Sequence, residues 1–295
     1  MSIRREQPSE DALGFLGGER TMPTPVETNA YPLSSNDLEH ERLVRQAAWV
    51  APHTERLFRR AGIGPGQRVL ELGSGVGDVS RILAGLVGPT GEVVGVERDP
   101  RSIARASARM RELGHAQVRY VQTDVLALPV DQPFDAGVGR YILMYMKDPA
   151  AVVKDVARLV RPGGVVAFLD TSFQSFLEAC EALPLWRDAA RVMTETFWRS
   201  GTNTEMGAQL SAAFVRGGLP EPETQTYTLT GSERWMSDCL ISLQPQIEAF
   251  EIPAAHLGDL HTLHQRLMDA LRSSGRPLPL PQMMGAWARV PARTG

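Results

Sequence analysis

The chain has 295 residues, 43% hydrophobic and 22% charged, with a formal net charge of −3. That length suits one large domain, or one domain with a cap. The charge balance gives no general pull toward nucleic acid. No apolar run approaches the roughly 18 residues needed to span a membrane, and the stretch after Ser2-Ile3-Arg4 lacks the apolar segment of a signal peptide. Cys180 and Cys239 show no CxxC spacing and read as buried thiols of a reducing, cytoplasmic compartment.

Residues 1–30 are polar and rich in glycine and proline, as a mobile tail would be. Asn36 followed by Glu39 resembles a capping box, opening a helix from about Asp37 to Val50 with Leu43, Ala47 and Val50 on one stripe. A second helix is expected from Pro52 to Ala61, before the turn Gly62-Ile63-Gly64-Pro65-Gly66. Val69 to Leu72 then suits a buried strand that runs into Gly73, Gly75 and Gly77, and a helical run from Asp78 to Leu86 follows. A strand ending in alternate glycines and turning into a helix leaves bare N–H groups at the C-terminal edge of a parallel sheet, where open α/β folds bind ligands. Glycine supplies the unusual backbone angles and lets a ligand approach without meeting a Cβ.

The βα rhythm continues. Glu92 to Val96 reads as a strand ending at Glu97, Pro100 to Leu113 as a helix, Val118 to Gln122 and Phe134 to Gly139 as strands. Asp148-Pro149 starts a helix bearing Val152, Val156 and Leu159, and Arg161-Pro162-Gly163-Gly164 turns into a strand over Val165 to Leu169. Such alternation predicts a parallel, doubly wound sheet. Beyond it, Thr171 to Gly218 is helical by pattern, Glu223 to Leu229 reads as a half-exposed strand, and Ser232 to Ser274 is helical again. The prolines at 277, 279 and 281 mark a linker before a closing strand over Ala286 to Val290.

The glycine spacing discriminates between ligands. A dinucleotide fingerprint is G-x-G-x-x-G, whereas here the third glycine is replaced by Asp78. An acid suits the helix dipole there but repels a pyrophosphate, so a cationic ligand without phosphates fits better. At this point the chain resembles the S-adenosylmethionine (SAM)-dependent methyltransferases of the Rossmann-like class, whose first motif is an acid, any residue, then G-x-G-x-G. Glu71, Gly73, Gly75 and Gly77 match it. Residues 66–170 are similar to the ubiquinone/menaquinone-biosynthesis and natural-product enzymes of that class. The segment Tyr31, Leu33, Glu39, Arg42, Leu43 and Gln46 loosely resembles its bacterial secondary-metabolite members.

The resemblance implies an α/β fold, a doubly wound seven-stranded, mostly parallel sheet with an antiparallel last strand, plus a helical lid and cap. It divides the chain into a tail (1–30), a lid (31–64), a SAM-binding core (65–170) and a region of cap helices and closing strands forming the acceptor pocket (171–295). It places SAM, and S-adenosylhomocysteine (SAH) as product, against Glu71, Gly73, Ser74, Gly75 and Gly77. Glu97, with Arg98 beside it, would accept both ribose hydroxyls, Asp124 the adenine amino proton, and Val125 and Leu126 would line the ring. Tyr31, Gln46 and Trp49 would be wall residues of the lid, or alternatively pad the sheet edge. Arg140 reads equally as a ligand for the cofactor's carboxylate or as a surface charge capping the sheet.

His53 and Tyr145 flank segments expected near the acceptor, and either could deprotonate a hydroxyl or amine or simply pack. His261 and His264 with Asp259 lack the H-E-x-x-H pattern and read as a solvated helix face, so no metal is expected. Phe173, Phe176, Trp186, Met193, Phe197, Trp198, Trp235 and Met236 suit the core of a helical cap, the wall of an apolar cavity, or both. The expected reaction is in-line methyl transfer from SAM to a small organic acceptor, a specialised metabolite or quinone-like aromatic, with no nucleic-acid or membrane partner. A homodimer exchanging its N-terminal helices is compatible with the pattern. The rivals are an RNA methyltransferase, which should add a basic groove, an NAD(P)-dependent oxidoreductase, which wants glycine at position 78, and a non-catalytic SAM-binding protein.

Overall fold

The computed structural model describes residues 37–123, 132–229 and 233–292. The expected tail and the Asn36 cap lie outside these residues. The first element is one continuous helix, α1 (Asp37–Arg60), where two were expected, because Pro52 lies inside it instead of opening a second helix. An internal proline removes one hydrogen bond and costs about 3 kcal/mol. Residues on both sides of it, Val50 before and Leu57 and Phe58 after, are fully buried in the same core, and that burial outweighs the missing bond.

Strands β1 (Arg68–Leu72), β2 (Glu92–Glu97), β3 (Val118–Gln122), β4 (Phe134–Arg140), β5 (Val160–Ser172), β6 (Glu223–Thr228) and β7 (Gln282–Arg289) form one sheet in the order β3-β2-β1-β4-β5-β7-β6. The first five pair in parallel, and β7 runs antiparallel to both β5 and β6. The expected topology is therefore present. β5 starts earlier than the pattern suggested, since Val160 pairs with Phe134 before the register shifts across the Arg161–Gly164 turn to pair Val165 with Ala136. β7 also starts earlier, at Gln282, where it pairs with Ser172 and Thr228.

Helices α1 and α2 (Asp78–Val87) cover one face through Val69, Val93, Val138 and Ala167. The other face is covered by α4 (Pro149–Leu159) and α7 (Met206–Arg216), which pack on Leu70, Val94, Val166 and Phe168. Alternate residues of each strand thus serve opposite layers, as a two-sided parallel sheet requires. A third core is built by α5 (Gln174–Cys180), α6 (Pro184–Arg199), α8 (Trp235–Ala249) and α9 (Leu260–Ser274) around Phe176, Trp186, Met193 and Leu240. Helix α3 (Pro100–Glu112) begins directly after β2, capped by Asp99, whose carboxylate accepts from the Arg101 and Ser102 amides.

Candidate active site

A cavity of about 750 Å³ opens at the C-terminal ends of β1, β2 and β4. Its floor is the turn after β1, where Gly73, Gly75 and Gly77 all take positive φ (61°, 51° and 84°). Two of these glycines are required for different reasons. At Gly73 an added Cβ would lie 2.7 Å from Ile142 Cδ1, whereas at Gly75 it would meet nothing, because that position faces open space. The Ser74 amide donates to the Val96 carbonyl (3.1 Å), while the buried Ser74 hydroxyl has no partner among the described residues.

Glu97 staples the end of β2 to this turn. One carboxylate oxygen accepts from the Gly75 amide (2.9 Å), the other from the amides of Arg98 (2.7 Å) and Asp99 (3.0 Å). From α3, Arg109 clamps the same turn, donating to the Val76 carbonyl (2.5 Å) and to Asp78 (2.8 Å). Asp78 therefore faces a guanidinium at the start of α2.

On the opposite flank of β1, Arg140 ends β4. One guanidinium nitrogen donates to the Thr54 hydroxyl (3.0 Å), and among the described residues no carboxylate pairs with it. Desolvation by burial holds its pKa below the ordinary arginine value. Above the turn, α1 contributes a buried ion pair in which Arg42 donates to both carboxylate oxygens of Glu39 (2.7 and 2.6 Å), to Gln46 (2.5 Å) and weakly to the Cys239 sulfur of α8 (3.7 Å). His40 Nε2 lies 3.4 Å from the Ser102 hydroxyl, so the same helix also touches α3. Met144, Tyr145, Met146, Phe173, Phe197 and Trp235 wall the remaining end. The aromatic and methionine cluster thus does both of its expected jobs, since Phe173, Phe197 and Trp235 belong at once to the cap core and to the cavity wall.

Among the sequence-predicted residues, Gly73, Ser74, Gly75, Glu97, Arg98, Arg140, Gln46, Trp49 and Tyr145 line this cavity. Tyr31, Asp124, Val125 and Leu126 lie outside the described residues. Three expectations need correction. Glu71 is fully buried beneath the turn, accepts from the Ser80 hydroxyl (2.5 Å) and does not reach the cavity. Burial pushes its pKa up to about 8, so at neutral pH it is a protonated support. Gly77 is the N-cap of α2 and packs under Tyr120 and Ala106. His53 does not line the cavity and packs against Tyr227 in a tilted pair, with ring centroids 4.9 Å apart. Sequence reasoning missed His40, Ser102, Met144 and Cys239. The helix start at Pro100 was legible, but its Asp99 cap and the side of α3 that meets the cavity were not. Asp259 caps α9 through the His261 amide, and among the described residues no cluster suits a metal ion.

A seven-stranded sheet with one antiparallel strand, a glycine turn after β1 and an acid ending β2 defines an open α/β domain of the Rossmann-like class. A family profile described as "Methyltransferase domain" matches residues 63–213 of the 295, and the chain belongs to that family. It is 36% identical over 122 residues to the 2-phytyl-1,4-naphtoquinone methyltransferase of Synechococcus elongatus, covering 39% of this chain and 52% of that one. It is 27% identical over 208 residues to an uncharacterized 37.1 kDa transposon protein of Streptomyces fradiae, covering 70% of this chain and 58% of that one. The chain thus spans little more than half the length of these curated relatives. The fold is shared with phosphoethanolamine N-methyltransferase 2 of Haemonchus contortus, solved with phosphomonomethylethanolamine and SAH, at a TM-score of 0.52 and 18% identity over 82% of this chain and 53% of that one.

Proposed function

We propose that this chain binds SAM in the cavity and transfers its methyl group to a small aromatic or quinone-like metabolite, leaving SAH. The observation that carries the reading is the pairing of an open glycine turn at Gly75 with Glu97 on one flank and, on the other, the Arg140 guanidinium, with which no carboxylate among the described residues pairs. These residues fit the cofactor. A carboxylate has about four lone-pair sites and three amides occupy Glu97, which leaves capacity for a ribose hydroxyl. Arg140 keeps N–H donors for the carboxylate of an amino-acid end. The orphaned Ser74 hydroxyl and open Gly75 give a polar ligand its approach.

Bound there, SAM supplies an electrophilic methyl group on a sulfonium sulfur. The chain's own residues then align the acceptor and exclude water, and alignment of this kind is worth effective molarities of about 10⁵ M or more. A strong base is optional for such a displacement, and Tyr145, on the cavity wall, is the better placed of the two predicted acid–base residues. On this reading the first half of α1 is the lid, and α5, α6, α8 and α9 are the cap over the acceptor. The quinone-methyltransferase relative supports an aromatic acceptor. Asp78 standing where the dinucleotide fingerprint has its third glycine counts against the nicotinamide alternative. A cytoplasmic setting is supported by two buried, unpaired cysteines, and a homodimer without nucleic-acid or membrane partners completes the proposal.

Calorimetric titration with SAM, SAH and NADH tests the cofactor. Tight binding of SAM and SAH is expected, and binding of NADH alone would overturn the reading. Labelled SAM incubated with pooled metabolite extracts, followed by mass spectrometry, would identify the acceptor.

A further inference from the structure

We propose that Tyr141 grips the methyl acceptor, donating its phenolic hydrogen bond to an acceptor oxygen that binds as an oxyanion; this rests on the methyl-transfer reading above. Tyr141 has φ +53°, and the one other non-glycine residue at positive φ among the described residues, Glu251, is exposed. For a bulky aromatic such a backbone is an outlier, costing about 1–3 kcal/mol where the surroundings enforce it. Here they do. The Tyr141 amide donates to the Leu169 carbonyl (2.8 Å), the Leu143 amide to the buried Asp170 carboxylate (3.2 Å), and the Asn203 amide to the Met144 carbonyl (2.8 Å). Ile142 is wedged over Gly73 and Gly139, within 2.7 Å of where their Cβ atoms would stand.

Asparagine or glycine would tolerate this backbone more easily, so the conformation does not explain the tyrosine. Its side chain does. The ring packs against both sheet cores and lines the cavity, yet its hydroxyl makes no hydrogen bond among the described residues. Burial pushes the phenol's pKa up, so it stays protonated and can only donate to an anion.

Position decides which ligand it serves. β4 and β2 flank β1 on opposite sides. With strands about 4.8 Å apart, Tyr141 stands on the order of 10 Å across the turn from Glu97, beyond reach of the same sugar. It shares its side with the apolar walls Met144, Tyr145 and Phe173. A phenol O–H donates a shorter and stronger bond to an ionised oxygen than to a neutral one.

The test uses the SAH-saturated protein titrated with 4-nitrophenol, whose ionised form is coloured. The wild type should bind the phenolate, and Tyr141→Phe should weaken that binding by roughly 10–100-fold, the effect of one charge-assisted bond. SAH affinity should be unchanged, which also reports that the variant is folded. Tyr141→Asn, suited to the same backbone, should likewise keep SAH and lose the probe. Equal phenolate affinity in Tyr141→Phe, preference of the wild type for the neutral phenol, or no probe binding would overturn the proposal. So would a fall in SAH affinity, which would assign the hydroxyl to the cofactor. Failure of the wild type to bind SAH is a separate result and sinks the methyl-transfer reading itself.

Discussion

Replacing Arg140 with leucine isolates one charge at the centre of the proposed cofactor site. The guanidinium has five N–H donors, and the Thr54 hydroxyl accepts from one nitrogen. On the proposed reading its remaining donors take the cofactor's carboxylate. A charge-assisted bond is worth about 1.5–3 kcal/mol, so SAH affinity should fall on the order of 10–150-fold. At a concentration about 100 times the wild-type Kd, SAH stabilises the folded state by about 2.7 kcal/mol. If the variant's Kd rises about 50-fold, the same concentration contributes only about 0.6 kcal/mol. Without ligand the order reverses, because leucine removes a desolvated charge that lacks an ion partner among the described residues and should raise the melting temperature. 5′-Methylthioadenosine, which has the nucleoside but no carboxylate, should bind both proteins alike. Differential scanning fluorimetry with each ligand measures all three effects. An undiminished SAH-induced shift in Arg140→Leu, or equal losses for SAH and methylthioadenosine, would refute the assignment of this guanidinium to the cofactor's carboxylate.

Other outcomes follow from the same geometry. Gly73→Ala places a methyl 2.7 Å from Ile142 at φ +61° and should destabilise the fold by about 1–3 kcal/mol in urea melts; Ile142→Ala should relieve the clash but not the backbone strain. Glu71 is protonated when folded up to about pH 8 and ionises near its ordinary pKa when unfolded. The native state therefore holds the extra proton between about pH 4.5 and 8, and wild-type stability should fall as pH rises through that window. Glu71→Gln should abolish that slope, gaining on the wild type by a few kcal/mol between pH 5 and 8.5, and a pH-independent difference in chemical denaturation would contradict it. Arg109→Leu frees both Val76 and Asp78, and calorimetry should show SAH binding several-fold weaker, with more unfavourable entropy as the loosened turn is ordered by the ligand.

The sequence by itself determined the sheet, the glycine turn and the acid that ends β2. These are local: alternate glycines, strand-length apolar runs and an Asp-Pro helix start each act within a few residues, and their order fixes a parallel topology. Tertiary structure decided which residues of those elements meet. Glu71 matches a motif letter for letter, yet strand alternation turns it under the turn to Ser80, and His53 packs on Tyr227 outside the cavity, on a helix that Pro52 fails to break. Tyr141 stands in the cavity because Leu169, Asp170 and Asn203, from elements distant in sequence, fix the backbone around it. Such placement depends on packing between segments separated by tens of residues, and no local pattern encodes it.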